Sequence, residues 1–127
     1  MAVPLMLANR GGTIVNISAE KALSGRIGAC NYAAAKAGLI ALTKALAKEL
    51  ASDIRVNCVA LGYTQTEELV KRLNLDEPAN LGRVKNEVPL GRIGSPEEAA
   101  QAVLFLSGNQ SSFVTGQVFA VGGGRWM

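Results

Sequence analysis

Residues 11–62 read GGTIVNISAEKALSGRIGACNYAAAKAGLIALTKALAKELASDIRVNCVALG. Thr13 to Ile17 is a short β-branched run bounded by glycine and serine, the mark of a buried strand. Ala19 to Gly28 reads as a loop carrying Ser24-Gly25. From about Cys30 to Leu50 the chain is rich in alanine and leucine and free of proline, which predicts a long helix. Leu39, Leu42, Leu46 and Leu50 recur at helical spacing and predict its core-facing stripe. Ala34, Ala37, Ala41 and Ala45 leave another side smooth enough for a second helix to approach. Ile54 to Ala60 is a second nearly continuous apolar strand, broken by Leu61-Gly62. Strand, long helix, strand is a crossover unit, and right-handed crossovers make the strands parallel.

Outward from this unit, Ala2 to Asn9 reads as the end of a helix, stopped before Gly11-Gly12, and Gln65 to Leu75 as an amphipathic helix. Asp76 to Gly94 is punctuated by Pro78, Gly82, Pro89, Gly91 and Gly94 and reads as irregular. Ser95-Pro96-Glu97-Glu98 opens a helix reaching about Ser107, with serine as N-cap, proline in the first position and acids in the first turn. Gln117 to Val121 is a third strand, ended by Gly122-Gly123-Gly124. The βαβαβ order predicts an α/β fold of three parallel strands with crossover helices.

The chain of 127 residues fits one domain, with an apolar share of 49% and charged residues at 18%. A net charge of +3, scattered along the sequence, argues against a nucleic-acid surface. With no histidine and two cysteines distant in sequence, a zinc site and a Ser-His-Asp triad are excluded within the chain. Cys30 and Cys58 read as reduced, mostly buried thiols, which suits a cytoplasmic location. Met1 to Leu7 lacks the form of a signal peptide, and no segment reaches the ~20 apolar residues that span a bilayer, so no membrane partner is expected.

Chemistry concentrates in Asn31-Tyr32-Ala33-Ala34-Ala35-Lys36-Ala37-Gly38-Leu39. On a helix, Tyr32 and Lys36 stack one turn apart on one face. A cation nearby favours the ionised form of an acid, so the phenol is expected to exchange a proton with a substrate oxygen. The plainer reading of the same spacing is a half-buried tyrosine at a helix start and a solvated lysine.

Four further segments settle the choice. They are Gly11-Gly12-Thr13-Ile14-Val15-Asn16-Ile17-Ser18, Arg55 through Thr66, Val88 through Glu98, and Ser112-Phe113-Val114-Thr115-Gly116-Gln117. In this order around YxxxK they resemble the C-terminal half of a classical short-chain dehydrogenase/reductase, over nearly the whole chain. Among subfamilies the chain most resembles the 3-oxoacyl-carrier-protein reductases and relatives of other specificity.

The resemblance implies the last three strands of a Rossmann-like doubly wound parallel sheet. Residues 1–127 would then be a partial domain lacking the N-terminal dinucleotide-binding half, with its glycine-rich phosphate turn. It implies NAD or NADP as cofactor and a small-molecule carbonyl or alcohol as substrate. Tyr32 matches the family's proton-transferring tyrosine, and Lys36 the lysine that acidifies it and hydrogen-bonds the nicotinamide ribose. Gly62, Thr64 and Thr66 match the segment that holds the carboxamide, with Leu61 where the family usually has proline. Thr66 also reads as the N-cap of the next helix, a compatible role.

The family's serine, thirteen residues before the tyrosine, falls on Ala19, which cannot donate a hydrogen bond. Ser18 is the candidate substitute, but its neighbour's position faces the other way on an extended strand, and a local backbone role is the alternative. Asn57 reads as satisfying local backbone. Arg125-Trp126-Met127 reads as an apolar tail seeking a partner surface, and the free edge of the first strand predicts a homo-oligomer or a complementing chain. Set against the oxidoreductase is a second expectation: a catalytically inactive truncated fragment acting only as a self-associating module.

Overall fold

The computed structural model describes residues 2–9, 11–25 and 27–126. Strands β1 (Gly12–Ala19), β2 (Ile54–Leu61) and β3 (Val118–Val121) form one parallel sheet in the order β1-β2-β3. The register sets Ser18 opposite Ala60, Ala19 opposite Leu61, and Leu61 opposite Val121. Helix α1 (Ala2–Ala8) precedes the sheet and α2 (Lys21–Ser24) follows β1. Helix α3 (Cys30–Glu49) crosses from β1 to β2. Between β2 and β3 come α4 (Glu67–Leu73), α5 (Pro78–Asn86) and α6 (Pro96–Ser107). The expected α/β fold of three parallel strands is what the chain adopts. None of the described helices is long and apolar enough to cross a membrane.

Several local expectations change. Asp76 to Gly94 is not irregular throughout, because Pro78 begins α5 rather than breaking a helix. Proline is tolerated at the first helical position, where its missing N–H would be unpaired anyway. The loop after β1 contains the single turn α2, and β1 itself runs on through Ser18 and Ala19. The helix expected from Gln65 to Leu75 is shorter, Glu67–Leu73, with Asn74 capping it in the left-handed region at φ 48°. Cys30, expected to be buried, is exposed at the start of α3, while Cys58 is buried on β2.

The stripe that α3 turns to the core is also displaced. Ile40, Thr43 and Ala47 are buried, whereas Leu42 is 47% exposed. Leucine periodicity missed this because the sheet offers a polar partner. Asn16 on β1 donates its amide to Thr43 Oγ1 at 2.9 Å, and Thr43 donates to the Leu39 carbonyl at 2.7 Å. A satisfied threonine is cheap to bury. Ala47 packs on Ile54 and Val56, with Val3, Met6, Ile14, Leu46 and Leu50 around them.

Alternation along β2 turns Arg55 and Asn57 to the other face. There Arg55 donates to the carbonyls of Val114 and Gly108. Asn57, fully buried, donates to the Val114 carbonyl at 2.8 Å and accepts from the Gln117 N–H at 3.0 Å. Its amide stands in for ladder bonds where the chain enters β3. Asn57→Ala leaves both backbone groups without that partner and should cost about 3 kcal/mol, read as a lower denaturant midpoint at unchanged m-value.

Beyond the carboxyl ends of the strands, Leu69, Leu75, Val84 and Ile93 form a second small core joining α4 and α5. Helix α6 starts with a full capping box between Ser95 and Glu98. Glu98 also takes a bidentate pair from Arg92, at 2.7 and 2.6 Å. The Arg92 guanidinium and the Ser95 N–H hold its carboxyl down at about 2. A depressed folded value means the contribution is present above the ordinary carboxylate range and is lost as pH falls toward 2. NMR titration of the Glu98 side chain is the check; Arg92→Gln should return its midpoint toward the usual value.

Candidate active site

The carboxyl ends of parallel strands leave a crevice where the chain departs in different directions, the usual ligand position in such sheets. Here β1 ends at Ser18-Ala19, β2 ends at Leu61-Gly62, and the first turns of α3 stand beside them. Two open cavities meet at this point. One of about 590 Å³ is bounded by Ala19, Asn31, Tyr32, Leu61, Tyr63 and Leu69, among others. One of about 300 Å³ is bounded by Ser18, Ala19, Tyr32, Lys36, Gly62, Thr64 and Thr66, among others.

Tyr32 lies in the first turn of α3, is 45% exposed, and borders both cavities. Lys36 follows one turn later, its Nζ 6.0 Å from the Tyr32 ring centroid. The ammonium donates to the Ile17 carbonyl at 3.0 Å, which ties its long side chain across the end of β1. That bond fixes the charge in place, since an untethered lysine would spread over many rotamers.

Ser18 is 2% exposed, and its hydroxyl donates to the Lys36 carbonyl at 2.8 Å. The serine thus secures α3 to β1. Ala19, 7% exposed, borders both cavities together with Tyr32.

Gly62 and Thr64 begin the loop after β2. That loop is stitched to Gly94: the Gly94 N–H donates to the Tyr63 carbonyl at 3.0 Å and the Gln65 N–H to the Gly94 carbonyl at 2.8 Å. These bonds hold the loop where Leu61 offers no proline ring. Thr66 caps α4, its Oγ1 accepting from the Leu69 N–H at 3.2 Å, and still borders the smaller cavity. Sequence reasoning therefore brought Tyr32, Lys36, Ser18, Ala19, Gly62, Thr64 and Thr66 to one place.

It did not find Arg125. Instead of joining an apolar tail, Arg125 turns inward, its side chain 13% exposed. Its Nη2 donates to Glu87 Oε2 at 2.6 Å and to the Tyr63 hydroxyl at 3.2 Å. Its guanidinium carbon lies 4.1 Å from the Tyr63 ring centroid. Its Nη1 is 3.5 Å from Glu20 Oε2, a carboxylate that is 2% exposed and has no hydrogen-bond donor among the described residues. Gly62 and Gly122 make room for Glu20: a Cβ on Gly62 would sit 2.7 Å from its Oε2, and one on Gly122 would collide with its Oε1.

Burial pushes Tyr63 up, and the Glu87 hydrogen bond adds to that. For Glu87, burial pulls upward, but bonds from Arg125 and Tyr63 and the charges of Arg125 and Arg83 bring its carboxyl below the ordinary value. No spacing rule joins positions 20, 63, 87 and 125. A glutamate close behind an apolar strand, at position 20, was the available signal.

Comparison with known proteins identifies the framework. The family model described as enoyl-(acyl carrier protein) reductase matches residues 1–125. The chain is 52% identical over 124 residues to the 3-oxoacyl-[acyl-carrier-protein] reductase FabG of Chlamydia muridarum, covering 94% of this chain and 47% of that protein. It belongs to the short-chain dehydrogenase/reductase family. FabG of Thermotoga maritima is 48% identical over 125 residues, covering 98% of this chain and 49% of that protein. A gluconate 5-dehydrogenase from Burkholderia cenocepacia, solved with NADP and tartrate, superposes with a TM-score of 0.87 at 34% identity, covering 96% of this chain and 48% of that one. The chain spans about half the length of the curated short-chain dehydrogenase/reductase relatives it matches.

Proposed function

We propose that this chain is the substrate-facing half of an NAD(P)-dependent oxidoreductase that interconverts a small carbonyl compound and its alcohol. The carrying observation is the convergence of Tyr32, Lys36, Gly62, Thr64 and Thr66 on one cavity at the ends of β1 and β2. Tyr32 is the general acid in reduction and the general base in oxidation. Lys36, tethered to the Ile17 carbonyl, is the fixed positive charge that favours the phenolate left behind.

The cavity of about 300 Å³ fits the nicotinamide end of a dinucleotide, with Lys36 beside the ribose and the Gly62–Thr66 loop beside the carboxamide. When bound, the nicotinamide supplies or takes up the hydride. NADP is favoured over NAD by the NADP-bound relative, and the pyrophosphate end would rest on a part of the fold outside these residues. The substrate carbonyl would lie against Tyr32 and Ala19 in the larger cavity. The unpaired edge of β1, which pairs only with β2 among the described residues, would be covered by that other part of the fold or by a second copy.

The test is single-turnover consumption of NADPH by the full-length polypeptide, offered a 3-oxoacyl thioester. Ketone-dependent loss of nicotinamide absorbance supports the reading. NADPH that binds yet is never consumed, whatever ketone is supplied, would leave only a non-catalytic module, the reading that Ala19 favours.

A further inference from the structure

Glu20, Lys21, Glu87 and Arg125 border the cavity of about 590 Å³ that contains Tyr32. The same four residues border another cavity, of about 330 Å³, whose remaining walls are Ser24 and Trp126. They therefore stand between the two spaces. Arg125 is the centre of this partition, held from one side by Glu87 at 2.6 Å and from the other by Glu20 at 3.5 Å. It comes from the segment after β3, whereas Glu20 follows β1 and Glu87 caps α5.

We propose that Arg125 determines substrate length by ending the substrate cavity at this ion-paired wall. The inference rests on the reading that Tyr32 acts on a carbonyl in the larger cavity, and it adds where the far end of that substrate must stop. The walls leading away from Tyr32 include Leu61, Leu69 and Leu73, an apolar strip for the first carbons of an unbranched tail, with the charged side chains of Arg72 and Arg83 beside it. A tail that reaches Arg125 meets a guanidinium whose Nη2 is already bonded to Glu87 and Tyr63. Passing further would require breaking its bonds to Glu87 and Tyr63 and leaving the Glu20 carboxylate buried without a counter-charge. That cost is high for the Arg125–Glu20 pair, whose side chains are only 13% and 3% exposed. Short tails fit in front of the wall, and long ones must turn out through the open side of the cavity into water, where their extra carbons gain no burial.

Arg125→Ala removes the partition and joins the cavities. Because it strands Glu20, the pair Glu20→Gln with Arg125→Ala is made as well, so that loss of folding does not mask the outcome. In the full-length enzyme with NADPH, the parent should reduce short 3-oxoacyl thioesters and discriminate steeply against long ones, with most of the difference in KM. The double variant should shift that preference toward long chains by roughly tenfold or more, the scale of one or two methylenes in an apolar pocket. Arg125→Lys, which keeps the charge, should stay close to the parent.

An optical arm reads the same geometry without turnover. Trp126 is the single tryptophan of this sequence and lies on the far side of the wall. Titrating a long unbranched acyl thioester should change Trp126 emission in the double variant and not in the parent, and Trp126→Phe should abolish that difference. If no variant reduces any thioester, the catalytic reading falls while the emission arm still decides the partition. A double variant that folds, keeps the parent's length profile, and shows the parent's emission response would overturn the proposal.

Discussion

Tyr32→Phe is expected to lower the rate of carbonyl reduction by roughly a hundred- to ten-thousandfold, the usual contribution of a positioned general acid. The ring stays, so the cavity keeps its shape, and only the proton donor is lost. Tyr32 is 45% exposed and its hydroxyl has no hydrogen bond within the protein among the described residues. Substitutions at such positions shift stability by no more than about 0.5 kcal/mol. A loss of rate without a loss of NADPH affinity or melting temperature therefore isolates the proton transfer. Single-turnover absorbance with saturating NADPH is the measurement, and a rate equal to the parent's would remove Tyr32 from the mechanism.

The contrast with Lys36 is instructive. Its ammonium is bonded to the Ile17 carbonyl at 3.0 Å and its own carbonyl accepts from Ser18 at 2.8 Å. Lys36 is thus part of the joint between α3 and β1 as well as of the site, and removing it mixes chemistry with structure. The tyrosine does not have that ambiguity, which makes it the sharper test.

How much of this was legible follows from which forces are local. The three strands, α3 and the capped start of α6 came from periodicity and from Ser95-Pro96-Glu97-Glu98, signals that lie within a few residues of each other. The convergence of Tyr32, Lys36, Ala19 and Thr66 came from the order of motifs. Helix α5 was missed because Pro78 and Gly82 were read as breakers. Leu81 and Val84 override that preference by packing against Leu69, Leu75 and Ile93. The seam of α3 was misplaced because Thr43 is buried through a bond to Asn16, 27 positions away. Arg125 was misread for the same reason: its partners Glu20, Tyr63 and Glu87 meet only after the sheet forms. Long-range polar contacts leave no period in a sequence.

Ala19→Ser is the opposite kind of test, a predicted gain. Position 19 closes β1 and borders both cavities beside Tyr32, so a hydroxyl there would be directed at the substrate space. A preorganised donor to a developing oxyanion is worth about 3 kcal/mol, which converts to roughly a hundredfold in rate. Ser18 does not already fill the role in this geometry, since its hydroxyl is spent on the Lys36 carbonyl and its residue is 2% exposed. The two positions can be set against each other in one experiment. If the oxyanion donor is missing, Ala19→Ser raises the rate about a hundredfold and Ser18→Ala leaves the chemical step unchanged apart from a loss of stability of about 1 kcal/mol. If instead a shift in the end of β1 lets Ser18 reach the substrate, Ser18→Ala abolishes turnover and Ala19→Ser adds nothing. The first result would mean that one methyl group, placed where a hydroxyl is needed, sets the catalytic ceiling of this chain.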